Sequence, residues 1–155
     1  MSDKPEETGP SIAQRDLPHW TYSDSIYFVT WRIAKETPDL CPEERSLVSG
    51  AISQFHEKRY DLFAWVVMND HVHALTRLRQ GYSLSKVLHT WKSFTANQLQ
   101  RKFQRRGSVW QDETYDHIIR TEREFYDTVR YILNNAYKRW GVEDYPWVGF
   151  NPVED

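Results

Sequence analysis

Cysteine is almost missing from this chain: one residue, Cys41, stands among 155. A lone thiol makes no internal disulfide and no cysteine-rich zinc site, so packing must hold the fold, and a reducing compartment suits it. Long apolar runs are missing too. The longest, Leu62 to Met68, falls far short of the roughly 20 residues that cross a bilayer, and Met1-Ser2-Asp3-Lys4-Pro5-Glu6-Glu7 has no apolar signal core. The expectation is a soluble, cytoplasmic protein with no membrane partner.

A third absence is local. No acid stands between Asp70 and Asp112, an interval that holds Arg77, Arg79, Lys86, Lys92, Arg101, Lys102, Arg105 and Arg106. The overall charge of −2 therefore conceals a centre of +8 and a remainder of −10. Segregated cations are the footprint of phosphate contacts, and equally of a solvated helix face. Of them, Lys86, Lys92, Arg101, Lys102, Arg105 and Arg106 are the candidate DNA contacts. What the chain has in quantity is aromatic surface, seven Trp, nine Tyr and seven Phe, which fills a core and offers flat faces for bases.

The polar, Pro/Gly-containing start, residues 1–18, reads as a flexible segment, and 19–155 as one domain. Ser25–Ile33 is β-branched and aromatic, a strand. A helix opens at Pro42 with Glu43 and Glu44, carries Leu47, Ala51, Ile52 and Phe55 as its stripe, and ends near Arg59. Tyr60–Met68 is a second strand, and Asn69-Asp70 suits a tight hairpin with positive φ. Ser83 caps a helix whose stripe is Leu84, Val87, Leu88, Trp91, Phe94, Leu99 and Phe103. That helix ends at Arg105-Arg106-Gly107. Ser108-Val109-Trp110 with Ile118-Ile119 supplies a short strand or an extended loop, and the segment after Tyr145 an irregular tail with its aromatics on the core.

Two positions stand out on these elements. His71 and His73 flank Val72 at the start of a third strand, so both imidazoles project from one face. Such a pair fits a metal site and fits two ordinary strand histidines. Thr121-Glu122-Arg123-Glu124 is a capping box that opens a helix with Phe125, Val129, Ile132, Leu133 and Ala136 facing the core. Tyr131 lies about 145° from the centre of that stripe at about 100° per residue, with Asn135 almost above it. Tyr126 and Tyr137 fall on the opposite flank. His89 and His117 lack metal-ligand spacing, although His117 is placed to touch a substrate. Two histidines, an amide and a phenol suit attack of a tyrosine hydroxyl on a phosphodiester assisted by a divalent metal.

The blocks Tyr27-Phe28-Val29-Thr30-Trp31-Arg32, Val66 to His73, Lys92-Ser93-Phe94-Thr95-Ala96, Val109-Trp110-Gln111 with Tyr115-Asp116-His117, and Tyr131-Ile132-Leu133-Asn134-Asn135 occur in this order. With them the chain resembles the REP-associated tyrosine transposases of the HUH single-tyrosine (IS200-like) superfamily, over about His19 to Trp147. The resemblance implies an α+β fold, a mainly antiparallel sheet with packed helices of the ferredoxin-like HUH type. It implies His71 and His73 as metal ligands, Asn135 as the third, Tyr131 as nucleophile, and Mg²⁺ or Mn²⁺ as cofactor. The implied substrate is single-stranded DNA beside a hairpin at palindromic repeats, cleaved to a 5′-phosphotyrosine by a monomer or homodimer associated with the nucleoid. Two positions depart from the pattern. Asn69-Asp70 replaces the usual Pro-Asn, which sets a carboxylate beside the histidines, and Ala136 replaces a frequent proline, which lets the helix continue. The rival readings are a hairpin or single-strand DNA-binding protein without cleavage, and a zinc hydrolase whose activity would survive Tyr131→Phe.

Overall fold

The computed structural model describes residues 16–152, and strands form in it where β-branched and aromatic residues concentrate. The strands are β1 (Ile26–Ile33), β2 (Tyr60–Val67), β3 (His71–Leu78), β4 (Trp110–Ile118) and β5 (Val148–Phe150); the helices are α1 (Pro42–Ser53), α2 (Leu84–Phe103), α3 (Glu122–Leu133) and α4 (Asn135–Trp140). The strands pair antiparallel in the order β4-β1-β3-β2-β5. The β-α-β-β-α-β run with β4-β1-β3-β2 order is the ferredoxin-like arrangement, to which β5 adds a strand beside β2. This is the α+β architecture expected from the sequence.

Alternation along the strands sorts the side chains into two cores. Val29, Trp31, Leu62, Val67, Val72 and Ala74 face α1 and α2, where they meet Val48, Ile52, Val87, Trp91 and Leu99. Ile26, Phe63, Val66, Met68 and Leu75 face the other way, onto Phe125, Val129, Ile132 and Ala136. Trp31 stacks on Trp91 with ring centroids 5.6 Å apart, and the Trp91 indole donates to Tyr60 Oη at 2.8 Å. Each buried ring so placed contributes on the order of 2–3 kcal/mol of transfer free energy. Among the described residues, no helix is long and apolar enough to cross a membrane.

Several expectations need correction. α1 stops at Ser53 rather than near Arg59, because the chain reverses through Glu57, whose φ is +68°, to enter β2. Phe94 is exposed in place of the expected burial, and Thr95 is buried instead, since α2 lays a straight row of Trp91, Thr95 and Leu99 on the core. The stretch from Trp110 to Ile118 is one continuous edge strand, and the tail closes as β5 on β2. Neither Asn69 nor Asp70 has positive φ. Their hairpin is held from outside instead, by Leu40 N donating to Asn69 O and Ile33 N to Asp70 O. At the other end of the chain Leu17 is buried, so the packed domain begins before residue 19; residues 1–15 of the expected flexible segment lie outside the described residues.

Candidate active site

The histidine pair owes its setting to register. His71 and His73 open β3 and face the α3 layer, with ring centroids 4.6 Å apart. Across the ladder on β1, Thr30 pairs with His73 and Arg32 with His71, so both β1 side chains share the histidines' face. Thr30 Oγ1 lies 2.7 Å from His73 Nδ1, and Asp70 Oδ1 lies 2.6 Å from His71 Nδ1. Phe28 stacks on His73 at 5.4 Å and packs edge-on against Tyr131 at 6.0 Å. Tyr131 completes the cluster from α3, its ring 5.3 Å from that of His73, while 44 % of the residue remains exposed.

Electrostatics make the imidazoles neutral. Burial pulls His73 down to about 3, helped by the neighbouring His71 and Arg32. Burial also lowers His71, against the opposing pull of Asp70. Burial would raise the Asp70 carboxyl, but its hydrogen bond to His71 and the charges of Arg139 and Arg32 hold it below the ordinary range. An ionised carboxylate only accepts, so His71 carries its proton on Nδ1 and its lone pair on Nε2. The Thr30 hydroxyl can accept in the same way from His73. Both Nε2 atoms are then free of partners among the described residues, the arrangement in which a second-shell group orients a metal-binding imidazole. Among the described residues no group of three or more His, Cys, Asp or Glu side chains could hold a metal, so any third ligand beside the two histidines would be of another kind.

Asn135 does not stand directly above Tyr131 on a single helix. α3 ends at Leu133, the chain bends at Asn134 with φ −97° and ψ 4°, and Asn135 begins α4. Even with Ala136 in place of proline, the helix is therefore interrupted, although Lys138 N donates to Asn134 O and the helical pattern resumes. Asn135 is half-buried between two residues that both reach the cluster: Tyr131 one turn before it, and Arg139 one turn after, 3.7 Å from Asp70 Oδ1.

The central cations divide. Lys92 is turned inward, its ammonium donating to Gln111 O at 2.7 Å, Asp112 O at 3.2 Å and Thr114 Oγ1 at 3.1 Å, and burial lowers its pKa. Arg105 closes on the buried Glu44 through two nitrogens, Nη2 at 2.9 Å and Nε. Both side chains are engaged within the fold itself. Lys86, Arg101, Lys102 and Arg106 remain exposed, but α2 lies on the face of the sheet opposite the histidines. The acid-free stretch is thus not a single patch around the imidazoles. His117 pairs with Glu124 at 2.9 Å.

Sequence reasoning did not single out Phe28, Thr30, Arg32, Glu113 or Tyr115 as site residues. These line a cleft of about 530 Å³ with His73 and Tyr131. The signal was present in β1, where Phe28, Thr30 and Arg32 alternate, but only the register to β3 shows which face they share.

The comparisons accord with this geometry. A family model described as Transposase IS200 like matches residues 25–135. A solved structure of a REP-associated tyrosine transposase bound to a REP hairpin superposes with a TM-score of 0.66 at 22 % identity, over 86 % of this chain and 81 % of that one. A Deinococcus radiodurans R1 protein described as a transposase superposes with a TM-score of 0.55 at 18 % identity, over 75 % of this chain and 95 % of that one. At such identities the two structural likenesses are of fold. Comparison with curated proteins finds no match.

Proposed function

The chain belongs to the IS200-like transposase family, and from that premise we propose that it is a DNA-strand transferase acting on single-stranded DNA beside a hairpin, with Tyr131 as its nucleophile. The observation that carries this reading is the packing of the half-exposed Tyr131 ring against His73, whose Nε2 is open. A nucleophile needs access to substrate, and the other groups need fixed positions; here the tyrosine is reachable while the imidazoles are pinned through Nδ1.

In the step we infer, Tyr131 Oη attacks the phosphorus and a P–Oη bond forms as the P–O3′ bond breaks. The phenolic proton passes to solvent and the departing 3′ oxygen takes one up, so a 5′-phosphotyrosine and a free 3′-hydroxyl result. No water is consumed at phosphorus, and the linkage energy is kept for rejoining. His71, His73 and the Asn135 amide are the residues that would hold a divalent cation, Mg²⁺ or Mn²⁺, whose chemistry when bound is to withdraw charge from the phosphate oxygens. Asp70 and Thr30 keep the two imidazoles in orientation, and Phe28 holds His73 and Tyr131 in place from the sheet side.

The test is a denaturing protein gel of purified protein incubated with end-labelled, hairpin-bearing single-stranded DNA in Mg²⁺, Mn²⁺ or EDTA. A covalent protein–DNA band that needs metal and vanishes in Tyr131→Phe is expected. Because the hydroxyl is at the surface, Tyr131→Phe should leave stability within about 0.5 kcal/mol, so its effect reads out chemistry. Cleavage that survives Tyr131→Phe would replace this mechanism with hydrolysis, and binding with no cleavage under any condition would reduce the protein to a DNA binder.

A further inference from the structure

The histidines' side of the sheet is only half covered. α3 packs mainly over β2, β3 and β5, and it reaches the matching face of β1 and β4 only at one end, through Ile26, Phe28 and His117. Register places Tyr115 of β4 across from Thr30 and His117 across from Phe28, so these side chains share the open face with Arg32. Beside it two clefts, about 530 and 520 Å³, meet at Phe28 and Tyr131, which line both. Each has the size of a small-ligand site.

The two clefts differ in charge. The second is lined by Glu124 and Asp127 with Arg123, which disfavours phosphate. The first is lined by the exposed Arg32, which makes no salt bridge among the described residues although its charge acts on Asp70, and by the exposed Glu113. At its rim Tyr115 is 58 % exposed, and it meets Phe28 at 6.2 Å with the rings at 71°, so much of the tyrosine ring stays open to solvent. Phe28 itself is held on two further sides, by His73 and Tyr131. A fixed aromatic floor, an exposed aromatic ring and an exposed cation along a partly open sheet are the parts from which single-strand binding surfaces are built.

We propose that this β1–β4 face seats the nucleotide next to the scissile phosphate, with its base stacked on Tyr115 and its phosphate against Arg32. The inference rests on Tyr131 being the nucleophile, since that places the reacting phosphate at the junction of the two clefts. Stacking tolerates any base, so the platform supplies grip and direction to the strand, and sequence choice is left to contacts elsewhere.

The test separates this surface from the chemistry by measuring binding in the Tyr131→Phe protein without added metal. A set of short oligothymidylates, each with 2-aminopurine at one position, is titrated with protein. One position should be quenched on binding; Tyr115→Ala should abolish that quenching and weaken binding about 5- to 150-fold, the range for loss of one base–aromatic stack, while Tyr115→Phe should retain both. Arg32→Ala should weaken binding and reduce the slope of log affinity against log salt by about 0.7, one phosphate contact on a single strand. No quenching at any position, or quenching and affinity unchanged in Tyr115→Ala, would overturn the platform while leaving the covalent-band experiment untouched. A missing covalent band with the platform intact would overturn the nucleophile instead.

Discussion

Asp70 and His71 are neighbours in sequence and also joined side chain to side chain, Oδ1 to Nδ1 at 2.6 Å, with Arg139 of α4 3.7 Å from the same carboxylate oxygen. The departure from the family's usual asparagine thus supplies a charged acceptor that sets one imidazole's tautomer. Removing the hydrogen-bond partner of a metal-binding imidazole typically costs 10- to 100-fold in metal affinity. Asp70→Ala should therefore weaken Mn²⁺ binding by about that factor in calorimetric titration, and Asp70→Asn, which can still accept through its amide oxygen, should lose less. Equal affinities in all three proteins would remove Asp70 from the site.

Acidification should destabilise the metal-free protein through the histidines. Both have folded pKa values below the unfolded value of about 6.5, His73 at about 3, so the unfolded chain takes up protons first. Their contribution is complete above pH ~6.5 and declines as pH falls toward 3, by at most about 1.4 kcal/mol per pH unit per group. Thermal melts from pH 7 to 4 should show a shallower decline in His73→Gln than in the unaltered protein. Parallel curves would assign the decline to other groups.

Arg105 and Arg106 are adjacent and should behave differently. Burial would raise the Glu44 carboxyl, yet the Arg105 guanidinium and the Cys41 amide hold it below the ordinary range, and both side chains of the pair are about nine-tenths buried. Arg105→Ala leaves that carboxylate alone and should cost about 3–5 kcal/mol in denaturant unfolding. Arg106→Ala, at the surface, should shift stability by less than about 0.5 kcal/mol. If it contacts a DNA phosphate, its loss lowers the salt dependence of binding instead, and an unchanged salt slope would exclude that contact.

Lys92 ties α2 to the edge strand β4 through two backbone carbonyls and the Thr114 hydroxyl. Lys92→Ala leaves these acceptors short of a donor and should cost about 1–3 kcal/mol. Faster amide exchange confined to β4 and its β1 partner would follow. Since Tyr115 stands on β4, quenching by the strand-binding face should weaken with it; a melt and exchange pattern identical to the unaltered protein would show that the ammonium holds nothing.

Local pattern carried much of this molecule. Alternation in β1 to β3 and the stripe of α3 depend on neighbours in the chain, so the sequence by itself determined two histidines on one strand face, a tyrosine off the core face of α3, and the Thr121 cap, whose hydroxyl accepts from Glu124 N at 3.1 Å. It could not determine the hairpin's backbone, which is held by amides of Leu40 and Ile33, nor the break at Asn134. Which cations face solvent was settled only in three dimensions, because a charge's role depends on what folding brings beside it: Glu44 reaches Arg105 across 61 residues, and Thr30 reaches His73 across 43. The open face beside Tyr131 likewise belongs to the tertiary structure. It exists because α3 packs mainly on β2, β3 and β5 and leaves much of β1 and β4 open.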